Sequence, residues 1–88
     1  MYRWEPDTLA QQQFDTLPTH VKAALSSFMD AVIIADPTEY QRRPDEMSDP
    51  PKPLRSLHFG RHDEGLVTFL VYPPDDLVLI VRIQWLGD

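Results

Sequence analysis

Two histidines and three arginines in the second half of the chain have side chains suited to acid–base and phosphate chemistry. They are Arg55, His58, Arg61, His62 and Arg82. Cleavage of RNA through its 2′-hydroxyl needs a base, an acid and cationic groups beside the phosphate, and histidine with arginine can fill these roles. We therefore take His58, Arg55, Arg61 and Arg82 as candidate catalytic residues. The alternative for His58 is a structural role as a partly buried histidine.

A metal site is a second possibility, because His58 and His62 are followed by Asp63 and Glu64. The segment "HFGRH" is, however, expected to span a strand end and a glycine bend, whereas a four-residue spacing aligns metal ligands on a helix. The three glycines of the chain are isolated, so there is no glycine-rich phosphate loop. We expect neither a metal nor a cofactor.

The composition indicates one small α+β domain. The chain has 88 residues, of which 42% are hydrophobic and 25% charged, and a chain of this size supports one thin core. It has no cysteine, which is typical of a reducing compartment. Neither a signal-peptide stretch nor a run of about 20 apolar residues is present, so we expect a cytoplasmic protein without a membrane segment.

The net charge of −6 argues against diffuse attraction to nucleic acid, since that affinity comes from lysine and arginine displacing counterions. The charge is unevenly distributed. Residues 42–62 have five basic and three acidic side chains, and both flanking regions are acidic. This middle region is either a solvated loop of mixed charge or an anion site.

Apolar spacing predicts two helices, over residues 7–16 and about 18–35, joined closely enough to form an antiparallel hairpin. Residues 43–53 have four prolines and no periodic apolar face, which predicts a long surface loop. Strands are predicted over residues 1–5, 54–59, 65–72 and 76–85, from their β-branched and aromatic residues. The predicted architecture is β-α-α-β-β-β, an antiparallel sheet with the helical hairpin packed on one face.

The last two strands are apolar on both faces. Taking "PPDD" as the turn places Tyr72 opposite Leu77, and strict alternation then places Arg82 on the same face as Val78. Two helices can cover only one face. We predict that the uncovered face is the one that binds a partner, and its apolar residues are Val67, Phe69, Val71, Val78 and Ile80.

Leaving such a patch in water would forgo about 8–10 kcal/mol of burial, for about 300–400 Å² of apolar surface. That is comparable with the stability of a whole domain. We therefore expect a second chain, or a second copy of this one, to cover this face. The alternative is that the proline-rich loop folds over it.

The element order and the phrases "LRSLHFG" and "GLVTFLVYPPDDLVLIVRIQW" resemble the RelE/ParE toxin superfamily of bacterial toxin–antitoxin modules. The resemblance implies a helical hairpin on one sheet face and a protein antitoxin that wraps the toxin. In RelE-like ribonucleases, which cut messenger RNA on the ribosome, the sheet face and adjoining loops supply the catalytic side chains. In the ParE-like branch the target is DNA gyrase.

Two positions depart from the family pattern. The middle-strand motif "Arg-x-x-Tyr" aligns with "FLVY", which places Phe69 where an arginine is expected, and the last strand runs into "RIQWLGD" without the usual histidine. The resemblance implies a toxin or toxin-like component that acts on RNA and translation, as an endoribonuclease, or on gyrase. The alternative is a catalytically silent interaction module with the same fold, which forms a homodimer or binds a protein partner.

Overall fold

The computed structural model of the chain describes residues 1–38, Tyr40 and residues 54–87. Its elements are β1 (Arg3–Pro6), α1 (Thr8–Asp15), α2 (Thr19–Ala35), β2 (Leu54–Phe59), β3 (Gly65–Tyr72) and β4 (Leu77–Trp85). A single turn of 3-10 helix, Pro73–Asp75, joins β3 to β4. The predicted α+β class and element order are confirmed. The loop predicted at residues 43–53 lies outside the described residues.

The four strands form one sheet in the order β1-β4-β3-β2. Strands β2, β3 and β4 are an antiparallel meander, and Tyr72 pairs with Leu77 across the β3–β4 turn as predicted. Strand β1 runs parallel to β4, with Arg3 paired to Leu77 and Pro6 to Ile80. The sheet is therefore mixed and not wholly antiparallel as expected. The helices between β1 and β2 carry the chain across the sheet, which lets β1 and β4 run in the same direction.

Both helices lie on the same side of the sheet. Helix α1 begins at a side-chain cap, in which a carboxylate oxygen of Asp7 accepts a hydrogen bond from the backbone N–H of Ala10 at 2.8 Å. It packs on β1 and β4, while α2 contacts β1 and β2. None of the helices in the described ranges combines the length and the apolar character needed to cross a bilayer.

The core lies between the helices and one sheet face. From the helices it includes Ala10, Val21, Leu25, Met29 and Val32, and from the sheet Leu57, Phe59, Val67, Phe69, Val71, Val78, Ile80 and Ile83. All five residues predicted to bind a partner, Val67, Phe69, Val71, Val78 and Ile80, belong to this core and are at most 2% exposed. The prediction placed the helices on the wrong face of the sheet.

The physical reason is a difference between the two faces of β3. The face with Val67, Phe69 and Val71 has no polar side chain, whereas the other face has Thr68 and Tyr72. Burying the wholly apolar face removes more hydrocarbon from water and leaves both hydroxyl groups solvated.

A β-bulge in β4 also changes the faces. Thr68 pairs with Arg82 and the next residue, Phe69, pairs with Ile80, so Val81 is the extra residue. Alternation is reversed beyond it, and Ile83 is in the core while Arg82 is exposed. The prediction that Arg82 shares a face with Val78 is therefore wrong, because strict alternation does not hold through a bulge.

Helix α1 supplies a hydrogen-bond acceptor to the backbone of β4 beyond the point where β1 ends. Strand β1 ends at Pro6, and the backbone N–H of Asp7 donates to the oxygen of Ile80 at 2.9 Å. Beyond that point, Oε1 of Gln13 accepts a hydrogen bond from the backbone N–H of Ile83 at 2.7 Å. A helix side chain thus replaces the missing strand and holds the bulged segment in place.

Candidate functional site

The sheet face opposite the helices is the candidate site, and we call it the open face. Each strand contributes alternate residues to it, as their exposure shows. These residues are Arg3 and Glu5 from β1, Leu77, Leu79, Arg82 and Gln84 from β4, Leu66, Thr68, Leu70 and Tyr72 from β3, and Leu54, Ser56 and His58 from β2. Whereas the buried residues of the opposite face are apolar except for Arg55, the open face combines leucines with polar side chains.

The leucines form a continuous strip, which we call the apolar strip. Leu54 pairs with Leu70, and Leu70 pairs with Leu79, so one row of leucines crosses β2, β3 and β4. Side chains paired in this way on one face are in contact range. Leu54 is 54% exposed and Tyr72, at the end of β3, is 46% exposed. An apolar row of this kind on a surface is typical of a protein-binding site.

The other end of the open face is polar. The hydroxyl oxygens of Ser56 and Thr68 are 2.9 Å apart and share a hydrogen bond, and Thr68 pairs with Arg82 on β4. His58 lies two residues beyond Ser56 on the same face and is exposed. Since neighbouring strands are about 4.8 Å apart, Ser56 and Arg82 lie about 10 Å apart across the face. These four residues, the polar end, offer two hydroxyls, an imidazole and a guanidinium to an anionic group.

Arg61 is exposed on the turn between β2 and β3, three residues after His58. The turn contains a glycine in the left-handed region, Gly60 at φ 98°. Glu64 closes it, with Oε1 accepting the backbone N–H of His62 at 2.7 Å. This hydrogen bond, with one from the backbone N–H of Glu64 itself, lowers the pKa of the Glu64 carboxyl. Arg61 therefore borders the same end of the sheet as His58.

Arg55 lies on the opposite side of the sheet from the polar end. It is 6% exposed, among the core residues, and its Nη1 donates a hydrogen bond to the backbone oxygen of Pro37 at 3.0 Å. The assignment of Arg55 as a catalytic residue beside His58 and Arg82 is therefore corrected, since the sheet separates them. The alternation of β2, which puts Leu54, Ser56 and His58 on one face, is as the sequence indicates.

Phe69, which stands where the resemblance to the RelE/ParE superfamily implies an arginine, faces the core and pairs with Ile80. The open face at that level presents its neighbours, Thr68 and Leu70. Sequence reasoning missed Ser56 and Thr68 as site residues. The sequence contained a usable signal, because a Ser and a Thr that lie opposite each other on adjacent antiparallel strands form a known cross-strand hydrogen-bonded pair.

Metal ligands are not grouped in the part of the chain that the structure describes. No three His, Asp or Glu side chains there are arranged to hold a metal ion. His62 lies in the turn, exposed, with its backbone N–H committed to Glu64.

Comparison with known proteins gives a fold but no sequence relative. No protein-family model matches the sequence, and no curated protein matches it. A chain of the crystal structure of the intact E. coli RelBE toxin–antitoxin complex superposes with a TM-score of 0.75 at 14% identity, covering 100% of both chains. The isolated E. coli RelE toxin superposes with a TM-score of 0.71 at 14% identity, covering 100% of this chain and 87% of that one. The chain therefore has a RelE-like fold.

Proposed function

We propose that this protein is the toxin-like component of a bacterial toxin–antitoxin pair, and that a protein antitoxin covers its open face. The observation that supports this most strongly is the full-length superposition on a chain of the RelBE toxin–antitoxin complex. The apolar strip supplies the second argument, because burying it against a partner removes leucine side chains from water. The proposed partner site therefore consists of the leucines of the open face, and not of the core residues expected from the sequence.

The chemistry of the open face and the charge of the chain restrict the partner. A strip of leucines across three strands fits an amphipathic segment with apolar side chains along one side. The chain has a net charge of −6, so a neutral or basic segment associates faster and more selectively than an acidic one. The expected antitoxin segment is therefore apolar on the side facing the strip.

The polar end is the proposed contact with the target. Of the four candidate catalytic residues, His58, Arg61 and Arg82 lie at or beside it, and the fourth, Arg55, is in the core. An exposed imidazole and two guanidinium groups can bind an anionic group of RNA, and His58 supplies a proton-transfer group. The same surface can bind an acidic region of a protein such as gyrase without cleaving anything. The two targets are distinguished by the experiments that follow.

The partner is tested by expression in a bacterial host. Expression of the chain alone is expected to arrest growth, and co-expression of a small protein encoded beside it is expected to relieve the arrest and to co-purify. The variant Leu70→Lys, in the centre of the apolar strip, should abolish co-purification. Leu9→Lys is the matched control, because Leu9 is 55% exposed on α1 and away from the open face. Growth without arrest, together with no co-purifying protein, would contradict the proposal.

The target is tested with His58→Ala and Arg82→Ala in the same growth assay. If the target is RNA, both variants should lose growth arrest, and arrest by the natural sequence should be accompanied by a rapid fall in incorporation of labelled amino acid. If the target is gyrase, loss of plasmid supercoiling should precede any fall in translation, and His58→Ala should retain arrest. Arrest that survives both substitutions would exclude the polar end as the contact.

A catalytically silent interaction module is the second candidate. It is favoured by one observation, namely that the structure does not bring the four candidate catalytic residues together, because Arg55 is on the core side. A silent module that acts through a protein partner, or through a second copy at the open face, predicts unaffected growth together with a leucine-dependent complex. Co-purification that is lost in Leu70→Lys, in cells that grow normally, would favour it over the toxin.

A further inference from the structure

Strand β1 has one side that no other described strand occupies. It pairs with β4 alone, and the backbone N–H groups of Arg3 and Asp7 both point to β4, donating to Asp76 and Ile80 at 2.9 Å each. Backbone groups alternate along a strand, so those of Trp4 point away from β4. Trp4 therefore presents its N–H and its carbonyl oxygen at the edge of the sheet.

We propose that β1 pairs antiparallel with β1 of a second copy of the chain, with Trp4 opposite Trp4 of the second copy. In this register the two Trp4 residues exchange two backbone hydrogen bonds across the two-fold axis. Tyr2 then faces Pro6 of the second copy. The N–H of Tyr2 donates to the Pro6 carbonyl, and the missing N–H of proline limits the pairing to this short segment.

The charges on β1 are complementary in this register. Arg3 lies opposite Glu5 of the second copy, and Glu5 lies opposite Arg3 of the second copy. Within one chain, Nε of Arg3 donates to Oε2 of Glu5 at 2.8 Å, and both side chains are more than half exposed on the open face. Turning to the facing copy exchanges this pair, and the hydrogen bond from Nη1 of Arg3 to the backbone oxygen of Asp75 at 2.9 Å, for two ion pairs between the copies of each dimer.

An apolar cleft beside this edge supports the same pairing. The cleft, of about 450 Å³, lies between β1 and α2, and its walls include Met1, Trp4, Ile33 and Ile34. Met1 is 96% exposed and Ile34 is 78% exposed. A second copy related by the two-fold axis brings the same apolar residues to the same edge, so each cleft is covered by its counterpart.

The other edge of the sheet does not offer this complementarity. Strand β2 has Leu54, Ser56 and His58 on its open side and no acidic residue, so two copies of β2 gain no ion pair. Pairing of β1 with β2 of another copy would be head-to-tail and would propagate into an open chain of molecules. The β1–β1 contact is isologous and ends with the dimer. It involves the sheet edge and leaves the apolar strip and the polar end accessible, so it does not depend on the proposed antitoxin site.

Disulfide cross-linking tests the register directly, because the chain has no cysteine of its own. In the proposed register Arg3 and Glu5 of the second copy lie opposite each other without exchanging backbone hydrogen bonds. Such a pair has its Cα atoms about 4.5 Å apart, within the range that a disulfide spans. Arg3→Cys mixed with Glu5→Cys in a glutathione redox buffer should therefore give a covalent heterodimer. Two Cys residues at position 3 would be about 8 Å apart, so Arg3→Cys alone should cross-link poorly.

Arg61→Cys, in the exposed β2–β3 turn, reports the level of random cross-linking. The proposal is overturned if the mixture cross-links no more than this control, or if Arg3→Cys alone reacts as fast as the mixture. The products are identified by intact mass, which separates the heterodimer from either homodimer. An affinity tag belongs at the carboxyl end, because β1 begins two residues after Met1.

Charge exchange provides an independent measurement by sedimentation equilibrium. Arg3→Glu and Glu5→Arg should each dimerise at least about tenfold more weakly than the natural sequence, because both ion pairs become repulsive. A mixture of these two variants should form a heterodimer, and the double variant should recover the affinity. A natural sequence that remains monomeric at millimolar concentration, or variants that dimerise as well as it does, would overturn the proposal.

Discussion

Arg55 is connected to Pro37 by a hydrogen bond of 3.0 Å from Nη1 to the backbone oxygen. The bond joins the first strand of the meander to the segment that follows α2. Pro37 is itself buried, and Asp36 before it has a positive φ of 91°. The guanidinium therefore fixes the path of the chain at the point where it leaves the helix.

The first prediction concerns this residue. Arg55→Ala should lower the free energy of unfolding by about 2–4 kcal/mol, because it removes a charged, buried donor and leaves a cavity in the core. Arg82→Ala, on the open face, should change it by at most about 0.5 kcal/mol. Urea denaturation of both variants measures the difference. Equal effects would contradict the structural role given to Arg55.

Gly65 is expected to tolerate no side chain. It pairs with Phe59, and a Cβ added at Gly65 would overlap the Phe59 ring. We predict that Gly65→Ala destabilises the protein by about 1–3 kcal/mol, since the ring has to leave its position between Phe28 and Trp85. Adding Phe59→Leu should reduce the penalty of Gly65→Ala. Additive effects in this double-mutant cycle would rule out the contact as the cause.

The bulge in β4 is expected to depend on Gln13. Gln13→Ala leaves the backbone N–H of Ile83 without the side-chain acceptor that it has at 2.7 Å, and should cost about 1–2 kcal/mol. Gln12→Ala is the matched control, because Gln12 is the exposed neighbour on α1 and gains the same helix propensity. Hydrogen exchange at Ile83 measures the local effect. Protection that is unchanged in Gln13→Ala would contradict the assignment.

The turn before β3 should have a pH-dependent stability. The pKa of Glu64 is lowered from its ordinary value of 4.5, chiefly by the hydrogen bond from the backbone N–H of His62. A lowered pKa means that the contribution to stability is complete above the unfolded value and is lost as pH falls through the folded value. Glu64→Gln lacks this titration.

The natural sequence should therefore lose more stability than Glu64→Gln as pH falls from about 6 to about 3. The comparison uses the difference in urea midpoint between the two proteins, which removes the contribution of the other carboxylates. The difference should be largest at neutral pH and should shrink in acid. A difference that stays constant with pH would contradict the role given to the Glu64 carboxylate.

Local patterns in the sequence predicted most of the fold. The bounds of β2 and β3 agree with the expected ones, because alternation with β-branched and aromatic residues is strong there, and Asp7 starts α1 through a cap that the sequence displays. The parallel pairing of β1 with β4 was not predictable in the same way. It depends on where the two helices return the chain, and no local pattern encodes this.

The candidate site was predicted less well, for two physical reasons. Both faces of the β3–β4 hairpin are apolar, so the choice of the buried face depended on the small difference made by Thr68 and Tyr72. The extra residue Val81 then transferred Arg82 to the open face. His58 could be placed with Ser56 because β2 alternates without interruption, but its distance from Arg82 could be known only once the register was fixed.

The extra residue at Val81 has a consequence for how this chain can change in evolution. Removing Val81 would restore a regular strand in which Arg82 still pairs with Thr68 on the open face and Ile83 still faces the core, because the partners on either side of the extra residue stay the same. A one-residue insertion or deletion elsewhere in β4 would instead reverse the alternation beyond it and exchange core residues with residues of the open face. The chain can therefore lose Val81 at less cost than it can lose a residue of this strand outside the bulge.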